Sequence, residues 1–150
     1  MTRYLALTLA AAALLIVPTP AAHAQSAPVT TVNVNGTPVH PAQYGFIYNS
    51  SLTAGDVRLQ DGSRSELWMF EGLAGECAAI IMSSTEFDAY LVLRAGAPFG
   101  ESVAEDDDSG GGTDALIRVR LPRTGTYFVT ATTFGEGQAL GRYSLDVDRC

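Results

Sequence analysis

No lysine occurs anywhere in the 150 residues, and histidine is nearly as scarce. His23 lies in an apolar leader, so His40 is the one imidazole beyond residue 24. A histidine-based catalytic triad would have to be built on His40, which stands between prolines. A multi-histidine zinc site has no second imidazole to draw on. Positive charge is also short. Beyond residue 24 there are eight arginines against sixteen carboxylates, a net charge of −8. That balance excludes nucleic acid, whose phosphates would be repelled, and argues equally against adhesion to anionic lipid. No Gly-x-Ser-x-Gly elbow is present, and no window sustains the 3.6-residue apolar stripe of an amphipathic helix.

Long hydrophobic runs are missing as well. The leader's apolar stretch, Leu5 to Val17, is 13 residues long. A bilayer of about 30 Å needs roughly 20. Arg3 precedes the stretch, Pro18 breaks it, and Ala22-His23-Ala24 supplies a small-x-small cleavage pattern before Gln25. Residues 1–24 are therefore expected to be a cleaved signal peptide, and the product to be periplasmic or secreted, with no membrane insertion of the mature chain. In that oxidising compartment the even pair Cys77 and Cys150 suggests a disulfide, the alternative being two free thiols.

What is present reads as short strands. Residues 25–49 are rich in Thr, Pro, Asn and Val, and "VNVNGTPV" (Val32 to Val39) has the form of a hairpin turning at Asn35-Gly36. Pro38 and Pro41 restrict that segment to an edge or a mobile arm, so it is expected to be a lightly packed leader. After Ser50 come "RSELWMF", "CAAIIM", "AYLVL", "LIRVRL", "TYFVTAT" and "RYSLDV", separated by Gly, Pro and Asp. In "LIRVRL", Ile117, Val119 and Leu121 alternate with Arg118 and Arg120, the period of a half-buried strand. Gly125-x-Tyr127 and Gly141-x-Tyr143 repeat one local form, in which the ring is buried and the hydroxyl finds a partner. The pattern predicts an all-β antiparallel sandwich over residues 50–150.

These stretches, in their order, resemble the bacterial pre-peptidase C-terminal domain. The likeness is carried by "SLTAGD" (Ser51 to Asp56), "GLAGE" (Gly72 to Glu76), "STEFDAYLVL" (Ser84 to Leu93), "AEDDDSGGGTDALI" (Ala104 to Ile117), "LPRTGTYFVTATT" (Leu121 to Thr133) and "GRYSLDV" (Gly141 to Val147). The resemblance implies a secreted jelly-roll sandwich usually appended to extracellular proteases. Only a short leader stands ahead of Ser50 in this sequence, a departure from that pattern, so serving an attached enzyme is not the function expected.

The acidic run Glu105 to Asp108 and the glycines after it set the functional question. Like charges so close repel by about 1 kcal/mol per pair even in water. A loop of this kind is either solvated for solubility or gathered around something positive. Asp88, Asp106, Asp107, Asp108 and Asp114 are the candidate ligands for Ca2+, which takes six to eight oxygens, although their spacing is not that of an EF-hand. No other cofactor is expected. Trp68, Phe70, Tyr90 and Phe134 read as core and not as a sugar platform, and Cys77 reads as strand core or bridge and not as a reactive thiolate. The chain is expected to be non-catalytic: an accessory module contacting an extracellular protein or polysaccharide. The alternative is an inhibitor or folding partner of a separately encoded peptidase. A small carboxylate-dependent hydrolase is the third and weaker class.

Overall fold

The computed structural model describes residues 25–135 and 139–150. The expected signal peptide lies outside the described residues. The strands are β1 (Gln25–Ala27), β2 (Val32–Val34), β3 (Thr37–Pro41), β4 (Phe46–Leu52), β5 (Val57–Arg58), β6 (Arg64–Gly72), β7 (Cys77–Ser83), β8 (Ala89–Ala95), β9 (Ser102–Asp106), β10 (Ala115–Arg120), β11 (Gly125–Thr133) and β12 (Gly141–Arg149). They form two sheets packed face to face. One runs β1-β4-β12-β7-β10; the other runs β2-β3-β6-β11-β8-β9, with β5 paired to β6.

The alternation read from the sequence sets which side chains meet between the sheets. From the five-stranded sheet, Tyr48, Leu52, Ile80, Met82, Ile117, Leu145 and Val147 point inward. Trp68, Phe70, Leu91, Leu93, Tyr127 and Val129 face them from the other sheet. Both repeated tyrosines are buried with their hydroxyls satisfied. Tyr127 donates to Arg123 O at 2.6 Å, and Tyr143 accepts from Trp68 Nε1 at 2.8 Å. A buried hydroxyl left unpaired would cost about 1–3 kcal/mol, so these bonds fix the packing of both rings.

Residues 25–49 differ from the expected loose arm. The hairpin is present, with Asn35 at φ 51° and Gly36 at φ 86°, the left-handed pair that a two-residue turn requires. However, it is clamped to the sandwich. β3 pairs in parallel with β6, and β1 pairs in parallel with β4. Val39 is fully buried in a second small cluster with Leu67 and Phe128, on the outer side of the seven-stranded sheet. The boundary expected near residue 50 falls inside β4, whose Tyr48 belongs to the main core. Every other strand pair is antiparallel.

On the outer face of the five-stranded sheet, Asp146 stands across from Ile47 and Ile81. Its Oδ1 is buried without a hydrogen-bond partner among the described residues. Burial, helped by the nearby Asp148 charge, raises its pKa. Replacing it with threonine, a good strand former that removes the orphaned oxygen, is expected to raise stability by about 1 kcal/mol in urea melts.

Candidate functional site

The two sheets end in one crowded set of loops. Strands β7, β9, β11 and the incoming β12 all meet their neighbours there, and backbone bonds lock the loops together. Ala89 N donates to Thr113 O at 3.0 Å, Phe134 N to Asp88 O at 2.9 Å, and Gly110 N to Asp114 O at 2.9 Å. Asp56, Asp61, Glu86, Asp88, Asp107, Asp108 and Asp114 lie at this end, against Arg58, Arg64 and Arg142. Two large apolar side chains stand exposed beside them, Phe134 at 52% and Leu140 at 42%. Tyr90 packs edge-on against Phe134 and donates its hydroxyl to Glu105.

Next to the carboxylates an open cleft of about 610 Å³ crosses the ends of β4, β7 and β12. Its lining is mostly hydroxyl and amide, from the serines of β4, β7 and β12 with Asn49 and Thr85, together with one carboxylate, Asp114, one cation, Arg142, and Tyr143. The register explains the wall, since Asn49, Ser144 and Ser83 are cross-strand partners in one row of the sheet. Ser84 is the hinge of the loop. Its hydroxyl donates to Arg142 O at 2.8 Å and accepts from Glu86 N at 3.0 Å. Arg142 in turn pairs with Glu86 at 3.0 Å, a solvent-exposed contact of little energy.

The five aspartates singled out in the sequence do share this end, but they are not brought to one point. Among the described residues no group of three or more His, Cys, Asp or Glu side chains is placed to hold a metal ion. Two of the five accept backbone hydrogen bonds. Asp114 Oδ1 accepts from Ser84 N at 3.2 Å. Asp106 Oδ2 accepts from Ser109 N at 3.0 Å and from Leu116 N at 2.7 Å, so it holds the turn of the loop and also stops the open edge of β10. Partial burial pushes the Asp106 pKa up, but those donors outweigh it and the net shift is downward. Asp106→Ala is expected to lower stability by about 1 kcal/mol, with Asp106→Asn losing less because the amide oxygen still accepts. Chemical denaturation at neutral pH measures both.

A second polar group went unread in the sequence. Glu66 is the third residue of β6 and is 9% exposed. It takes the Tyr143 hydroxyl on Oε2 and faces His40 Nε2 at 3.4 Å on Oε1. His40 Nδ1 lies 2.8 Å from Thr30 O, and the ring packs on Trp68 with centroids 4.8 Å apart. The arrangement joins the hairpin to the core beside a pocket of about 260 Å³ that His40 and Glu66 both line. The signal in the sequence was a lone glutamate in the apolar run "RSELWMF" of a chain with one usable histidine.

The cysteine pair is joined. Cys77 and Cys150 form a disulfide with Cα atoms 5.2 Å apart, at the end of the sandwich opposite the acidic loops. Among the described residues no helix is long and apolar enough to cross a membrane.

No family model matches the chain, and no curated protein matches it by sequence. Solved structures do match by fold. The pre-peptidase C-terminal domain of a collagenase from Bacillus anthracis has a TM-score of 0.58 at 15% identity, covering 77% of this chain and all of that one. PliG from Aeromonas hydrophila, a periplasmic inhibitor of g-type lysozyme, has a TM-score of 0.56 at 15% identity, covering 84% of this chain and 98% of that one. The all-β sandwich is thus the architecture of the domain that the sequence stretches resemble, and it is equally the architecture of an enzyme inhibitor.

Proposed function

We propose that this chain is an exported, non-catalytic binding module that docks a cationic protein through its acidic loop end. The reading is carried by one observation: Asp88, Asp107, Asp108 and Asp114 share that end with a hydroxyl-lined cleft and with the exposed Phe134 and Leu140. Such a surface offers acceptors for guanidinium and ammonium groups around an apolar anchor, the composition of a protein interface. Export is supported by the leader sequence and by the disulfide.

Immobilised protein exposed to the secreted fraction of its own host is expected to retain basic proteins. Raising the salt should release them, with affinity falling about tenfold as the Debye length shrinks from about 30 Å to about 8 Å. The triple variant Asp88→Asn/Asp107→Asn/Asp108→Asn should lose them. Retention that ignores both salt and the triple variant overturns the reading, as does retention only on insoluble polysaccharide.

An inhibitor is the second reading, favoured by the fold shared with PliG over most of both chains. Its test is direct. Lysis of bacterial cells by g-type lysozyme should slow in proportion to added protein if this reading holds, and should be unchanged if the module serves another partner, such as a separately encoded peptidase.

A further inference from the structure

We infer that the open edge of β10 is a second binding site, which accepts an extended segment of a partner protein carrying alternating acidic and apolar residues. This surface lies along the side of the sandwich and is independent of the acidic loop end.

β1 and β2 are three-residue strands, too short to template much pairing. β9 carries a register irregularity opposite Leu93 and Arg94, a distortion that discourages a further strand. β10 is regular over six residues and, among the described residues, pairs with β7 alone. The direction of its backbone groups follows from one bond. Leu116 N donates to the Asp106 carboxylate and so points away from β7. In an antiparallel ladder such positions alternate, so Arg118 and Arg120, which face Ala79 and Cys77, also turn their N–H and C=O groups to the open side. Asp106 stops the edge at Leu116; beyond it the groups of Arg118 have no such cap among the described residues.

Beside this edge a groove separates β10 from β9, which approach at the open side of the sandwich without pairing. Its two halves have volumes of about 370 and 460 Å³. Val103, Ala104 and Val119 are half-buried along it, and Glu101 and Glu105 on the β9 side and Arg118, Arg120 and Arg123 on the other complete its lining. On the other face of β10, Arg118 and Arg120 are exposed and two residues apart, the repeat of side chains on one face of a strand. Arg120 also reaches Gly75 O at 3.1 Å.

An added strand would therefore meet two different walls. Its inward side chains would fall on Val103 and Val119, and its outward ones would stand directly across from the arginines, about 5 Å away. Carboxylates suit the second set and aliphatics the first. A second copy of this chain is a poor occupant, because β10 paired to itself about Arg118 would oppose guanidinium to guanidinium.

A blocked peptide of sequence Thr-Val-Glu-Val-Glu-Val-Thr, titrated into the 15N-labelled protein, tests the proposal. The expected result is saturable amide shifts centred on residues 115–120, with solvent exchange of the Arg118 amide slowed at least tenfold. A lysine-for-glutamate peptide should bind at least tenfold more weakly, and an N-methylated peptide lacking the backbone donors should not bind. Arg118→Glu should reverse the order of the two charged peptides while leaving the spectrum otherwise folded. No shifts in β10 at millimolar peptide would overturn the proposal. So would equal shifts from the N-methylated peptide, because they would mean that the arginines guard the edge and do not read a strand.

Discussion

Replacing both Cys77 and Cys150 with serine is expected to lower the unfolding free energy by about 4 kcal/mol, the chain-entropy value for a closed loop of this length. The two cysteines are 73 residues apart, so the bridge removes a large share of the unfolded chain's freedom. On the folded side it fastens the last residue of the chain to the first residue of β7. There Cys150 N already donates to Cys77 O at 3.1 Å. Arg149, next in line, pairs with Glu76 and lies over the Tyr44 ring at 4.2 Å. These contacts are at the surface and add little by themselves, and without the bridge the end of β12 frays and takes them with it. For a domain of this size the melting temperature should fall by roughly 15 °C. The denaturant slope should also rise, because the unlinked unfolded chain exposes more surface. Equal urea midpoints for oxidised and reduced protein would show that the bridge lies outside the folding unit.

The parts of the fold that were legible in the sequence are those governed by local period. "LIRVRL" states its two faces outright, and β10 has them: Ile117 is in the core and Arg118 and Arg120 are in water. The Gly-x-Tyr echo named two rings that are both buried with bonded hydroxyls. The convergence of Asp88, Asp106, Asp107, Asp108 and Asp114 at one end was readable because antiparallel neighbours return their loops to the same side. Their distribution within that end was not. Whether a carboxylate turns toward a metal or toward Ser84 N and Leu116 N depends on distances that no spacing in the chain encodes.

The hairpin arm escaped for a related reason. Its anchoring strands β1 and β3 pair in parallel with β4 and β6, and a parallel pair leaves no turn signal between its members. Pro38 and Pro41 look like breakers, and both are accommodated at the ends of a short strand whose central Val39 is buried in full. The openness of the β10 edge was equally unreadable. Arg118 and Arg120 announce a solvent face, and only the strand order says that one side of β10 has no neighbour among the described residues.

Glu66 is where the arm and the sandwich are joined, and Glu66→Ala is expected to cost about 3 kcal/mol, the range for removing one partner of a buried ion pair. The loss has two parts. The Tyr143 hydroxyl and the His40 Nε2 both lose their acceptor in a site where their side chains are largely closed to water. The side chains of His40 and Glu66 are only 13% and 10% exposed, so solvent cannot replace what is removed. Glu66→Gln should lose less, because the amide oxygen can still accept from Tyr143. The same pair sets a pH dependence. The Glu66 carboxylate holds the His40 pKa above its ordinary value, against the opposing effect of burial. Burial drives the Glu66 pKa upward, but hydrogen bonds from His40 and Tyr143 outweigh it and the net shift is downward. A raised histidine stabilises fully below its unfolded value of about 6.5 and loses that contribution as the pH climbs through the folded value. A lowered carboxylate stabilises above about 4.5 and loses its contribution as the pH falls through the folded value. The pair therefore contributes most between those limits and less on either side. Urea midpoints measured against pH should show that maximum in the natural protein, and the curve should flatten on the alkaline side in His40→Ala. An unchanged alkaline limb in His40→Ala would place the titrating group elsewhere and remove His40 from the joint.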